Sequence, residues 1–142
     1  MRLWRLTRRP FVSLDGRGAE RYGGRWNLPG LPMVYTAAEA SLAVLEVRVH
    51  LDLPFELLPD DYVLVEIESN DASMEEGPAL TAADECRNFG DRWLQEQRSA
   101  LLSVPSAIIP YSRNVLVNPR HPEANHVRVE RLHEWRFDSR LF

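Results

Sequence analysis

Arg25 stands in the stretch RYGGRWN, directly after Gly23 and Gly24 and before an indole at Trp26. Glycine takes backbone conformations closed to other residues and lets the chain approach a ligand closely, so an arginine on such a turn can be aimed inward. Its planar fork suits phosphate or carboxylate. Glu46 is the matching carboxylate: it falls one turn after Leu42 and one turn before Val49, at the margin of a helical apolar stripe. A carboxylate there is partly desolvated and needs a positive or hydrogen-bonding partner. Tyr35 lies between the two in sequence, and Ser106 follows Pro105 in VPSAIIP, at the head of an expected strand. No G-x-S-x-G elbow surrounds Ser106, so it fits hydrogen bonding better than nucleophilic attack. Ordinary alternatives stand beside each reading: a solvated arginine on a glycine turn, a surface glutamate flanking a buried stripe, a turn serine beside proline.

Other chemistries find less support. His121, His126 and His133 alternate with Glu123, Glu130 and Glu134, but the intervals match no familiar zinc-ligand spacing, and no metal is expected. Trp4, Trp26, Trp93 and Trp135 read as core or core-edge aromatics rather than base-stacking platforms, because no basic surplus accompanies them. GRGAERYGGRW does not run from a clear strand into a helix as a dinucleotide fingerprint must.

Seventeen basic residues, all arginine, face 21 acidic ones, for a formal net charge of −4. General attraction to nucleic acid or an anionic membrane is therefore not expected. Cys86 is the only cysteine, the first residues lack the apolar run of a signal peptide, and no stretch is apolar for long enough to span a bilayer. A soluble cytoplasmic protein is the expectation. At 142 residues and 44% hydrophobic content, the chain suits one compact domain, residues 1–142.

The elements that must position these residues read as alternating short segments. MRLWRL starts a strand, and Thr7 to Pro32, which holds most of the glycines, reads as irregular chain, longer than ordinary connections and so a candidate functional loop. PMVYT is a short buried strand, residues 38–50 a helix apolar around much of its circumference, and DYVLVEIE an alternating strand. SNDASMEEGPAL reads as an acidic loop, and Thr81 with Asp84 as a capping box opening a helix that runs to about Leu102. SAIIP, NVLVN and VRVERLHEWRF close the chain as three strands. The order predicts an α+β fold, helices packed on a mixed or antiparallel sheet.

Taken together, GGRWNLPGLPMVYTAAEASLAVLEV, LLSVPSAIIP, NVLVNPRHP and the terminal FDSRLF resemble, in order and over nearly the whole chain, the RES domain, named for an Arg, a Glu and a Ser. What the resemblance implies is a fold like that of ADP-ribosyltransferase toxins and a toxin of a RES-Xre toxin-antitoxin pair. The implied chemistry is cleavage of the nicotinamide-ribose bond of NAD+ by hydrolysis or phosphorolysis, or ADP-ribosylation of a protein target. NAD+ enters as substrate, and no separate cofactor is expected. By this resemblance the catalytic residues are Arg25, Tyr35, Glu46 and Ser106, with Arg5 and Trp26 as further substrate-contacting candidates. Arg25 would grip phosphates and help keep Glu46 ionised; Tyr35 would stack on the nicotinamide or ribose; Ser106 would bond the carboxamide or ribose. The implied partner is an Xre-like antitoxin that covers the cleft in a hetero-oligomer. Ser112 stands where the pattern leads one to expect an acidic residue, the one feature favouring a catalytically silent binding module.

Overall fold

Alternation of Val63, Val65 and Ile67 with Leu64 and Glu66 makes β3 (Tyr62–Glu68) a strand with one dry face: all three β-branched residues are fully buried. Burying each such side chain stabilises the fold by about 1.5–3 kcal/mol. β3 pairs along its whole length with β1 (Arg2–Arg8), and on its other edge with β7 (Arg128–Glu134), where a bulge falls between Glu66 and Ile67. The computed structural model describes all residues, Met1–Phe142.

The other half of the sheet is built from β2 (Val34–Ala37), β4 (Met74–Glu76), β5 (Leu101–Pro105) and β6 (Arg113–Val117). The strand order is β4-β5-β6-β2-β1-β3-β7, antiparallel except for the parallel β4–β5 pair. β5 is dry on both sides: Leu101 joins the Leu3–Val65–Val117 cluster, while Leu102 and Val104 face Trp93 and Leu94. Those last two belong to α3 (Ala83–Glu96), which covers the four-strand half.

The two halves meet at a single residue pair, Trp4 opposite Ala37. Beyond it β1 and β2 part, although β1 pairs over seven residues with β3 and β2 over four with β6. α2 (Ala40–Arg48) lies over this junction, with Leu42 and Ala43 buried against Ala37, Trp4 and Leu64. Its far end is held by the chain's last residues: Arg48 Nε donates to the Leu141 carbonyl (2.6 Å), and the guanidinium sits 3.9 Å above the Phe142 ring.

Several expectations need correcting. The glycine-rich segment is not wholly irregular: Arg17–Tyr22 form a short helix, α1, starting after Gly16 in the left-handed region. The acidic segment contributes β4, and the second helix stops at Glu96 because Gln97 turns left-handed (φ 49°). Ala82, not Thr81, occupies the N-cap of α3, and no side chain caps it. SAIIP is a turn; the strand is the preceding LLSVP, so Ser106 follows a strand instead of heading one. Val49, placed in the apolar stripe by spacing, is half exposed because α2 ends just before it.

Candidate active site

Where β1 and β2 part, a cavity of about 680 Å³ opens. Small-molecule sites commonly enclose about 300–1,000 Å³. Trp4, Arg5 and Leu6 of β1 form one wall, and Tyr35, Thr36 and Ala37 of β2 the other. The Gly23–Trp26 loop, the α2 face from Ala43 to His50, and Ala107, Ile108 and Asn114 complete it. Glu46 is the only carboxylate among the lining residues. Two guanidinium groups, Arg5 and Arg25, share the cavity, and neither takes part in an ion pair, although most other arginines do. Five of the six residues singled out by sequence, Arg5, Arg25, Trp26, Tyr35 and Glu46, thus line one space.

The sixth, Ser106, lies behind Glu46. Its Oγ donates to Glu46 Oε1 (2.8 Å) and accepts the backbone N–H groups of Ile108 (3.2 Å) and Ile109 (3.1 Å). One donor and two acceptor sites are all a serine hydroxyl offers, so this one is fully committed, and the residue is only 2% exposed. In this fold the hydroxyl aims the Glu46 carboxylate. Its partner is the correction to the expected Arg25–Glu46 pairing: the two share the cavity but form no ion pair, and Glu46 is held by the hydroxyl. Ser112 serves the same turn through its backbone, its carbonyl accepting the Ser106 N–H (2.9 Å), and it does not face the cavity.

Tyr35 fastens the arginine loop. Its hydroxyl donates to Asn27 Oδ1 (2.6 Å) and accepts the Trp26 N–H (2.9 Å). Burial pushes its pKa far above the ordinary tyrosine value, more than the hydrogen bonds from the loop lower it, so the phenol stays neutral. Asn27, fully buried, passes its amide hydrogens to the carbonyls of Ala19, Leu28 and Leu31, closing the loop on itself. Gly23 takes φ 73° at the turn, and a Cβ on Gly24 would lie 2.5 Å from the Tyr35 hydroxyl, which is why the pair precedes the arginine. With its hydroxyl spent on the loop, Tyr35 offers a ligand only its ring. Tyr35→Phe should leave Asn27 Oδ1 and the Trp26 amide without their partner and cost about 1–3 kcal/mol. Urea unfolding reads this directly; a midpoint equal to the parent's would show that the loop does not depend on the phenol.

Trp26 is 3% exposed, edge-on to Phe89 of α3 at 6.2 Å, so it is mainly a core residue that reaches the cavity with little surface. Arg5 donates to the Phe11 carbonyl (2.7 Å); burial lowers its pKa, opposed by the nearby charge of Asp15. Sequence reading missed Asn27, Asn114 and His50. Asn27 sits in the quoted GGRWN motif, and His50 follows Glu46 by four residues, a helical spacing that could have found it. The remaining histidines hold separate places: His121 Nδ1 accepts the Glu123 N–H (3.0 Å), His126 Nδ1 lies 2.9 Å from Asp71, and His133 Nε2 lies 2.7 Å from Glu66.

A sheet parted between β1 and β2, with a largely apolar cleft in the parting and one serine-held carboxylate on the covering helix, defines an α+β protein with a candidate small-molecule site. The chain belongs to the RES domain family, whose model matches residues 2–140. It is 40% identical over 148 residues to the "Toxin Res" of Pseudomonas putida, covering all of both chains. It is 39% identical over 141 residues to the "Prs ADP-ribosylating toxin" of Sphingobium sp., covering 91% of this chain and 86% of that protein. Among solved structures it is similar to a chain in the crystal structure of the M. tuberculosis MbcT-MbcA toxin-antitoxin complex, with a TM-score of 0.80 over 95% of this chain and 84% of that one. At 21% identity, that likeness is one of fold. No helix of the chain is long and apolar enough to cross a membrane.

Proposed function

We propose that this RES-domain toxin binds NAD+ in the cleft and breaks its nicotinamide-ribose bond. The observation that carries the reading is the charge arrangement: one carboxylate, aimed by a buried hydroxyl, in a cavity with two guanidinium groups free of ion pairs. Nicotinamide departs neutral from a pyridinium, so positive charge moves onto the ribose as an oxocarbenium-like centre. Glu46 close to that centre, or to the adjacent 2′-hydroxyl, stabilises the transition state more than the ground state, which is what raises the rate. Arg25, on the loop that Tyr35 and Asn27 knit together, takes the phosphate oxygens with its planar fork. Ser106 acts through Glu46 as a positioning residue: fixing the carboxylate's rotamer in advance spares that ordering at the moment of reaction.

Transfer to a protein acceptor is the second reading, favoured by the name of the Sphingobium relative. A cognate antitoxin is proposed as the partner that silences the chain, seated over the cleft. Support comes from the M. tuberculosis neighbour, solved with its antitoxin, and from exposed apolar side chains close in sequence to lining residues, among them Tyr22, Val49 and Tyr111. Chromatography of NAD+ incubated with the purified chain, with and without phosphate, tests the proposal. Free ADP-ribose or its 1″-phosphate is the expected product, and label transferred to a polypeptide in lysate would select the second reading. NAD+ bound but left intact would make the chain a silent binding module.

A further inference from the structure

One face of α2 and of the turn after it lines the cavity. Ala43, Glu46, Val47, His50 and Leu51 lie along it, Ala43 buried (5% exposed), Glu46, Val47 and Leu51 half-buried and His50 exposed. The His50 amide bonds to the Val47 carbonyl (3.1 Å), a tighter turn that follows α2 and leaves His50 lining the same cavity as Glu46. His50 is also the one histidine of the four whose ring has no hydrogen-bond or ion-pair partner in the fold. The other titratable groups on the walls are Arg5 of β1, Arg25 of the loop, Tyr35 of β2 and Glu46 of the same helix; the turn carrying Ala107 and Ile108 adds none.

We propose that His50 is the base that receives the acceptor's proton, a role that rests on the cleavage of NAD+ argued above. Displacement at the ribosyl carbon brings the acceptor from the side opposite the departing nicotinamide. With nicotinamide seated toward buried Ala43, that side is the one that carries exposed His50. The C1″–N1 bond breaks and its electron pair goes to the nicotinamide nitrogen. A bond forms between C1″ and the oxygen of an O–H acceptor, water or a side-chain hydroxyl. The acceptor's proton passes to a ring nitrogen of neutral His50 and from the imidazolium to solvent. Glu46, the only carboxylate present, faces the developing cation in this scheme. Arg5 and Arg25 cannot take a proton at neutral pH, and the phenol of Tyr35 is engaged in the loop, which leaves the imidazole as the free base.

His50→Gln tests this, since the residue is exposed and the substitution keeps a polar group of similar reach. Nicotinamide release is followed for parent and variant between about pH 5 and pH 8, where imidazoles change charge. The parent's rate should fall as pH drops and the base is protonated. The variant should be about 10²-fold slower in kcat at the upper end, with that pH limb flattened and KM for NAD+ unchanged. A parent-like rate and profile would overturn the assignment, and so would a raised KM with unchanged kcat, which would put His50 on the dinucleotide. A parent that binds NAD+ and releases no nicotinamide overturns the cleavage reading, and this inference falls with it.

Discussion

Glu46→Gln should slow nicotinamide release about 10²- to 10³-fold while the protein keeps its fold, the scale of loss seen when one well-placed electrostatic group is removed from an active site. The amide has nearly the carboxylate's shape, and its oxygen still accepts the Ser106 hydroxyl, so the hydrogen bond that aims the side chain survives. What disappears is the negative charge, in a cavity where no other carboxylate can replace it. Removing it alters the transition state, in which the ribose is cationic, more than the bound ground state, so kcat falls and KM for NAD+ changes little. Steady-state kinetics, with a melting curve to confirm the fold, decides the matter. Undiminished turnover in the variant would remove Glu46 from the chemistry and with it the core of the functional proposal.

Gly90→Ala should lower Tm by about 5 °C and weaken NAD+ binding, although the usual expectation runs the other way. In a helix interior, alanine is favoured over glycine by about 1 kcal/mol. Gly90 is buried in α3 where the helix meets the loop that carries Arg25, and a Cβ there would run into the carbonyl oxygen of Trp26. That atom is backbone and cannot swing aside like a flexible side chain. Overpacking of this kind costs about 1–3 kcal/mol, sometimes more, enough to outweigh the propensity gain. At this chain length each kcal/mol is worth a few degrees. The loop must shift to make room, and Arg25 moves with it. Circular dichroism melts and calorimetric titration with NAD+ check both effects; a variant melting at or above the parent's temperature would mean that α3 does not press on the loop.

How far the sequence could be read depended on whether a feature is local. Val63, Val65 and Ile67 declare their strand because period two and burial on one face are properties of the segment itself. Glu46 stood out for the same reason, as the acidic interruption of an apolar helix. The glycine pair before Arg25 reads as room for a ligand; what the fold shows is Gly24 making room for the Tyr35 hydroxyl, a partner no local pattern names. β4 was invisible because Met74–Glu76 is polar and becomes a strand only by lying beside β5. α1 was masked by the glycines around RGAERY, and the end of α3 by the apolar run that continues helical periodicity into β5. Ser106 was found for its position, but no spacing reveals that its hydroxyl bonds one carboxylate and two amides within the fold. The fold class followed from the order of elements; the parting of the sheet did not, because strand neighbours far apart in sequence leave no mark on either strand.

That parting has a mechanical consequence. Two groups of strands, each zipped along its length, share one backbone pairing at Trp4 and Ala37 and are otherwise joined by side chains packed in the Leu3–Val65–Val117 cluster, so the seam between them is the line of the sheet with the fewest hydrogen bonds. α2 spans that seam, and it carries Glu46. A molecule gripping Arg5 of β1 and Arg25 beside β2 would supply across the seam the polar ties that the backbone leaves out.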